Sequence, residues 1–312
     1  MQSTTNQHVL VVGSVAFDDL EMPSGTFKDV LGGAATYSSC AASLLASVRL
    51  VGVVGEDFPE RHVEMLVARG VDVTGLERAK GKTFRWHGRY SEDLGSRVSL
   101  DTQLNVFADF RPKIPATHKK SEVLLLGNIH PALQLEVLEQ MDRPKLVVVD
   151  TMNFWISGEP EALAKVLAKV DLLVINDEEA RQLSGEHNLL KAAREIHKRG
   201  PKRLIIKRGE HGALLIEEGS VFFVPAYPLE NVLDPTGAGD TFAGGLVGYI
   251  ARTGDTSHAS MRRAMFYASA AASFCVEGVG TERLVLATKG DLAVRIEAFT
   301  KMVDYGGSLS LR

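Results

Sequence analysis

A chain of 312 residues with 45% apolar and 24% charged side chains can bury a large core and has an ordinary globular balance. Its formal net charge of −4, with no Lys/Arg run, excludes a non-specific nucleic-acid binder. No apolar run approaches the length of a membrane span, and residues 1–8 are polar, so neither a membrane segment nor a secretory signal is expected. In chain order, near-continuous apolar runs at 8–12, 48–54, 122–126, 146–149, 172–175 and 204–206 predict strands buried on both faces of a parallel sheet. Helices are predicted between them at 34–46, 60–69, 132–140, 160–169, 178–183 and 189–199. This alternation predicts a three-layer, doubly wound α/β fold. The segments 213–216 and 221–224, split by Glu217-Glu218-Gly219-Ser220, predict a hairpin. Long helices follow at 240–252, 257–274 and 289–302, and the tail from Tyr305 reads as frayed.

Two features stand outside this pattern. Segment 82–110 is rich in Arg, Asp, Tyr, Trp and Thr, and 83–90 alternates like a half-exposed strand. Cys40 and Cys275 lie in Ala/Ser-rich stretches without close His or Cys partners, which predicts buried thiols in a reducing cytoplasm rather than a zinc site.

The chemistry concentrates in Asp234-Pro235-Thr236-Gly237-Ala238-Gly239-Asp240-Thr241-Phe242. Gly237 and Gly239 allow a tight turn and close approach to a ligand. The helix that follows starts with amides that have no internal partner, and with the helix dipole they form an anion site. A carboxylate at such a site repels phosphate unless it has a task of its own. Asp240 has one if it takes a proton from a hydroxyl while the amides hold a transferring phosphoryl group. A glycine loop with Asp240 capping the helix reads the same way locally.

The nine-residue run resembles the C-terminal signature of the ribokinase-like, PfkB-type carbohydrate kinases. Four further segments carry the resemblance in the family's order. Val11-Val12-Gly13-Ser14-Val15-Ala16-Phe17-Asp18 resembles the first strand and substrate aspartate. Gly32-Gly33-Ala34-Ala35 resembles the double-glycine motif, and Val51-Gly52-Val53-Val54-Gly55-Glu56-Asp57 a strand and turn. Asn176-Asp177-Glu178-Glu179 resembles the Asn-x-x-Glu motif that organises magnesium and phosphate.

The resemblance implies one ribokinase-like domain over 1–312, with a small β lid formed by about 19–31 and 82–110. It implies an ATP- and Mg2+-dependent kinase acting on a hydroxyl of a sugar or polyol; a nucleoside kinase on the same fold and a non-catalytic sugar- or nucleotide-binding regulator remain as alternatives. Asp240 would be the base, ionised at neutral pH because a helix N-terminus lowers carboxylate pKa. Gly237, Ala238 and Gly239 would form the anion hole. Asn176 and Glu179 would organise magnesium, Glu179 through water. Lys207, Gly209 and Gly212 would lie beside the nucleotide phosphates, and Ser269 beside adenine. Asp234 and Thr236 would be the ligands of a potassium ion, where one is used. Asp18 at the end of the first strand, with Gly32, Gly33 and Asn128, would hold the acceptor; Asn105 is a further polar candidate. The lids of two copies would pair in a homodimer.

The chain departs from the family in two places. Tyr37 stands where the family commonly has Asn, and Asp150-Thr151-Met152-Asn153-Phe154-Trp155 lacks the Arg of an Asp-x-Asn-x-Arg stretch. The first weakens a simple ribose- or fructose-like pose, and the second an acidic sugar. Phe84, Trp86 and Phe107 could stack on a sugar or a base, which keeps nucleosides in play.

Overall fold

The structure is a computed structural model that describes residues 7–304. The expected frayed tail from Tyr305 lies outside the described residues. Among the described residues thirteen strands form two sheets. They are β1 (His8–Val12), β2 (Ala16–Met22), β3 (Gly25–Gly32), β4 (Ser47–Val54), β5 (Val71–Arg78), β6 (Phe84–Tyr90), β7 (Arg97–Gln103), β8 (Val123–Leu126), β9 (Leu146–Asp150), β10 (Leu172–Asn176), β11 (Arg203–Lys207), β12 (Ala213–Glu217) and β13 (Ser220–Val224). The helices are α1 (Ala34–Ser43), α2 (Glu60–Ala68), α3 (Pro131–Gln140), α4 (Asn153–Gly158), α5 (Pro160–Leu167), α6 (Asp177–Ser184), α7 (Leu189–His197), α8 (Ala238–Thr253), α9 (His258–Cys275), α10 (Glu282–Leu286) and α11 (Lys289–Val303).

The large sheet has the order β13-β12-β11-β10-β9-β8-β1-β4-β5. It is parallel from β11 to β5, and the hairpin β12–β13 extends it in antiparallel fashion. Alternation along β1 sends Val9 and Val11 into one core and Leu10 and Val12 into the other. Helices α1, α2 and α8–α11 contribute to the first core, and α3–α7 to the second. The buried apolar runs of the sequence follow from this double cover. Helix α8 approaches α1 closely, because a Cβ on Gly248 would lie 2.9 Å from the Ala42 carbonyl oxygen.

The parallel strands wind outward from β1 in both directions, so β1 and β8 form a switch point where ligands enter at the carboxyl edge. Over that edge lies the small sheet β3-β2-β6-β7. Its centre is a parallel pairing of β2 with β6, flanked by two antiparallel hairpins.

The structure corrects the position of Asp18. The first strand ends at Val12, the chain turns through Gly13-Ser14-Val15, and Asp18 belongs to β2 of the small sheet. It pairs with Trp86 on β6. The apolar run and the following alternation look continuous in sequence, and only the change of sheet separates them.

The Val-Gly-x-Val-Gly-x-Asp segment fastens the small sheet to the large one. Asp57 Oδ1 accepts from both the amide and the hydroxyl of Thr83, at 2.7 Å each. The Gly55 amide donates to Thr83 Oγ1 at 3.0 Å. A Cβ on Gly55 would overlap the Gly81 carbonyl.

Candidate active site

On the small-sheet side, Asp18 is buried on the inward face of β2. A Cβ on Gly32 would overlap its carboxylate, which explains glycine at that position. Gly33, at φ 94°, begins α1 in a conformation other residues avoid. Burial pushes the Asp18 pKa up to about 8, reinforced by Asp234, Asp240 and Asp19 and opposed by Arg97. Ligand-free Asp18 therefore holds a proton more tightly than an ordinary carboxyl.

On the other side, Gly237 starts α8 at φ 74°. A Cβ on Gly237 would overlap the Tyr37 ring. The buried phenol of Tyr37 thus supports the glycine loop from below, where the family's asparagine would stand. The Ala238 amide bonds Pro235 O at 3.2 Å and tightens the loop. Asp240 sits in the first turn of α8 rather than at its cap, and its carbonyl accepts from Ser38 Oγ at 3.0 Å.

The expectation that a helix N-terminus keeps the Asp240 pKa low is overturned. Burial raises it, Asp150 adds to the rise, and Lys207 and Arg97 only partly offset both. Loss of hydration outweighs the partial charge of a helix end.

Lys207 and Glu179 complete this side. Lys207 ends β11, and its Nζ lies 3.3 Å from Asp150 Oδ2. A Cβ on Gly239 would lie 2.8 Å from that Nζ, so the ammonium faces the glycine loop. Burial opposes its charge, but Asp150, Glu179 and Asp240 more than offset this and raise its pKa. Asn176 and Glu179 form a reciprocal cap at the start of α6: Glu179 N donates to Asn176 Oδ1 at 2.7 Å, and Asn176 N to Glu179 Oε2 at 2.8 Å. Burial, with Asp150 adding and Lys207 opposing, raises the Glu179 pKa.

Other predicted residues are committed elsewhere. Asp234 accepts from the amides of Thr236 (2.8 Å) and Gly280 (2.7 Å). The Thr236 carbonyl accepts from Cys275 Sγ at 3.3 Å. Ser269 Oγ donates to Pro225 O at 2.9 Å. Asn128 accepts from the Trp155 indole at 2.8 Å, and Asn105 donates to Thr83 O at 2.9 Å. Gly209 and Gly212 shape the turn between β11 and β12, where a Cβ on Gly212 would overlap Val224 O. Phe84 and Phe107 stack on each other with centroids 5.3 Å apart, and the Trp86 indole donates to Ser99 Oγ at 3.0 Å.

Three functional candidates were missed in the sequence. Asp150 was noted only as part of an incomplete motif, yet its charge acts on Lys207, Glu179 and Asp240. Arg97 begins β7 opposite Tyr90, and its charge reaches Asp18, Glu179 and Asp240 across the cleft. Tyr90 shares a 2.8 Å hydrogen bond with Thr236 Oγ1, linking the small sheet to the glycine loop. Period-two alternation could have placed Tyr90 inward; Arg97 also required the β6–β7 register, which a bulge shifts.

Comparison with known proteins bears on the family and the fold. Residues 3–288 match the model of the pfkB family carbohydrate kinases. A cytidine kinase of Thermococcus kodakarensis is 34% identical over 249 residues, which cover 77% of this chain and 88% of that protein. A deoxyribokinase of Salmonella typhi is 34% identical over 276 residues, covering 85% and 87% respectively. A Burkholderia thailandensis nucleoside kinase solved with inosine has the same fold, with a TM-score of 0.78 at 20% identity, covering 93% of this chain and 97% of that one.

The chain therefore belongs to the pfkB family of carbohydrate kinases. It is an ATP-dependent phosphotransferase with an alcohol acceptor on a sugar or a sugar-containing small molecule.

Proposed function

We propose that this chain transfers the γ-phosphate of ATP to a hydroxyl of a riboside, with a nucleoside as acceptor. The observation that carries the site assignment is the shared cleft: Asp18 feels the charges of Asp240 and Arg97, and Asp240 those of Lys207, Asp150 and Glu179. Asp18, backed by Gly32 and Gly33, holds acceptor hydroxyls. Those hydroxyls donate to the ionised carboxylate, so acceptor binding near neutral pH releases a proton. Asp240 takes the proton of the attacking hydroxyl, and a pKa raised towards the working pH suits a general base. The loop Gly237-Ala238-Gly239 lines the anion hole, although the Ala238 amide is already bonded to Pro235 O; Lys207 meets the phosphates, and the charge of Arg97 acts on the group in transfer.

The donor set fits a magnesium–nucleotide. Among the described residues no three metal-binding side chains converge on one point. A magnesium ion would be held through water by Glu179 and Asp150 and would spread the charge of the transferring group. Asn176 fixes Glu179 for that task. Ser269 and Asn128 act as walls of the nucleotide and acceptor sites, with Gly209 and Gly212 shaping the phosphate-side turn. Each Asp234 oxygen and the Thr236 carbonyl accepts one hydrogen bond and keeps a lone pair that would serve a potassium ion, and no step is routed through it.

The riboside is supported by the cytidine kinase relative and tested with a panel of nucleosides, free sugars and polyols in an ATP-coupled assay. Turnover of nucleosides above free pentoses is expected. Turnover confined to free sugars selects the second reading, which the deoxyribokinase relative favours. Glu179→Gln raises the magnesium concentration needed for half-maximal rate, because the hydrated cation loses a charged partner; an unchanged titration assigns Glu179 to capping alone. Two copies would pair through the outward lid face, where Asp19, Glu21, Lys28, Arg85, His87 and Asp101 mix both signs; a monomeric mass at micromolar concentration removes this. The two free, buried cysteines support a cytoplasmic setting.

A further inference from the structure

Asp150 and Lys207 form a buried ion pair at the place where nucleotide phosphates are expected. They end β9 and β11, the two neighbours of β10, and the ladder pins them: Val174 pairs with Asp150 and Asn176 with Lys207. Their side chains are 9% and 17% exposed, so water does little to screen them. Asp150 Oδ1 accepts from the Thr151 amide at 2.8 Å, and Oδ2 faces the ammonium at 3.3 Å. The same ammonium faces Gly239. It thus stands between a carboxylate and the mouth of the glycine loop and cannot neutralise two anions at once.

Resting on the kinase reading above, we propose that Asp150 and Lys207 are an exchange pair that makes nucleotide binding depend on a divalent cation. The phosphate chain draws the ammonium away from Asp150. The carboxylates of Asp150 and Glu179 are then left facing an anion in a poorly hydrated cleft, which is unfavourable. A divalent cation arriving with the nucleotide restores neutrality. Bare ATP therefore binds poorly, and the metal complex binds well. A pair that only braces the sheet edge predicts no such coupling.

Calorimetric binding of ATP separates these cases without any turnover, in EDTA and in excess Mg2+. Asp150→Asn frees Lys207 without adding charge, so affinity in EDTA rises about tenfold and the gain on adding Mg2+ shrinks. Lys207→Gln has the opposite effect: affinity in EDTA falls more than affinity in Mg2+, and the gain grows. If Asp150→Asn does not fold, Asp150→Ser and Lys207→Gln carry the same comparison. Equal losses in both media for the Asp150 variant, or a magnesium gain that neither variant changes, overturn the exchange pair and leave the kinase reading standing. Failure of the unmodified chain to bind ATP in either medium overturns both.

Discussion

Asp240→Asn lowers kcat by roughly 10²–10⁴ and leaves ATP affinity within a few-fold of the original. The asparagine keeps the shape of the side chain and can still accept a hydrogen bond from the acceptor hydroxyl, but it cannot take the proton. The backbone carbonyl that receives Ser38 Oγ and the amides of the first turn of α8 are unaffected, so the glycine loop stays formed. The pH dependence gives a second reading of the same residue. Asp240 works only as a carboxylate, and burial lifts its pKa above the ordinary value of 3.8. The rate therefore falls as pH drops through that raised value, well above the range of a free carboxyl, and this acid limb vanishes in the variant. A variant with near-normal kcat, or one that keeps the limb, removes Asp240 from the chemistry.

Asp18→Asn separates the acceptor site from the phosphate site and changes stability with a defined sign. Loss of charge-assisted hydrogen bonds worth roughly 1.5–3 kcal/mol each raises acceptor KM at least about tenfold. ATP binding measured without acceptor stays the same. The folded-state pKa of about 8 lies above the ordinary carboxyl value. The stability that Asp18 contributes is thus fully present below the unfolded pKa and is lost as pH rises through 8. Asparagine carries no such penalty. The variant should melt higher than the unmodified protein at pH 8, by about 2–4 °C for each kcal/mol relieved, and the difference should narrow at pH 5 and close only below the unfolded value of 3.8. A variant that melts lower at both pH values, or one with weaker ATP binding and unchanged acceptor KM, contradicts this division of the cleft.

The core strands and most helices were legible because double burial writes itself as unbroken apolar runs. Strand β5 was not, because Val-Asp-Val-Thr-Gly-Leu-Glu-Arg edges the sheet and alternates with water on one side. Short α4 and α10 gave too few turns for a periodic signal. At the site, the Asn176–Glu179 cap and the left-handed turn at Gly237 were readable because each answers to a local backbone need, whereas the reason for Gly32 lies in Asp18 on the facing strand. Asp150 and Arg97 were not, since each acts through partners on other strands and depends on register. The Asp240 pKa was misjudged for a related reason. The helix end is visible in sequence, whereas the burial that outweighs it comes from segments far away in the chain, such as those of Ser38 and Lys207.

The small sheet is made of two insertions, 16–32 and 84–103, joined by the parallel pairing of β2 with β6. Each hairpin can close locally, but the central ladder must wait until residues more than sixty apart are brought together by the larger sheet. The small sheet is therefore expected to form late in folding and to open early. Amide exchange should show β6 and β7 unprotected by excursions that leave β1 and β8 closed. For an enzyme that must admit and release its ligands, assembly order and turnover then draw on the same weak joint: Asp57 and Thr83 at its base, Tyr90 and Thr236 at its rim.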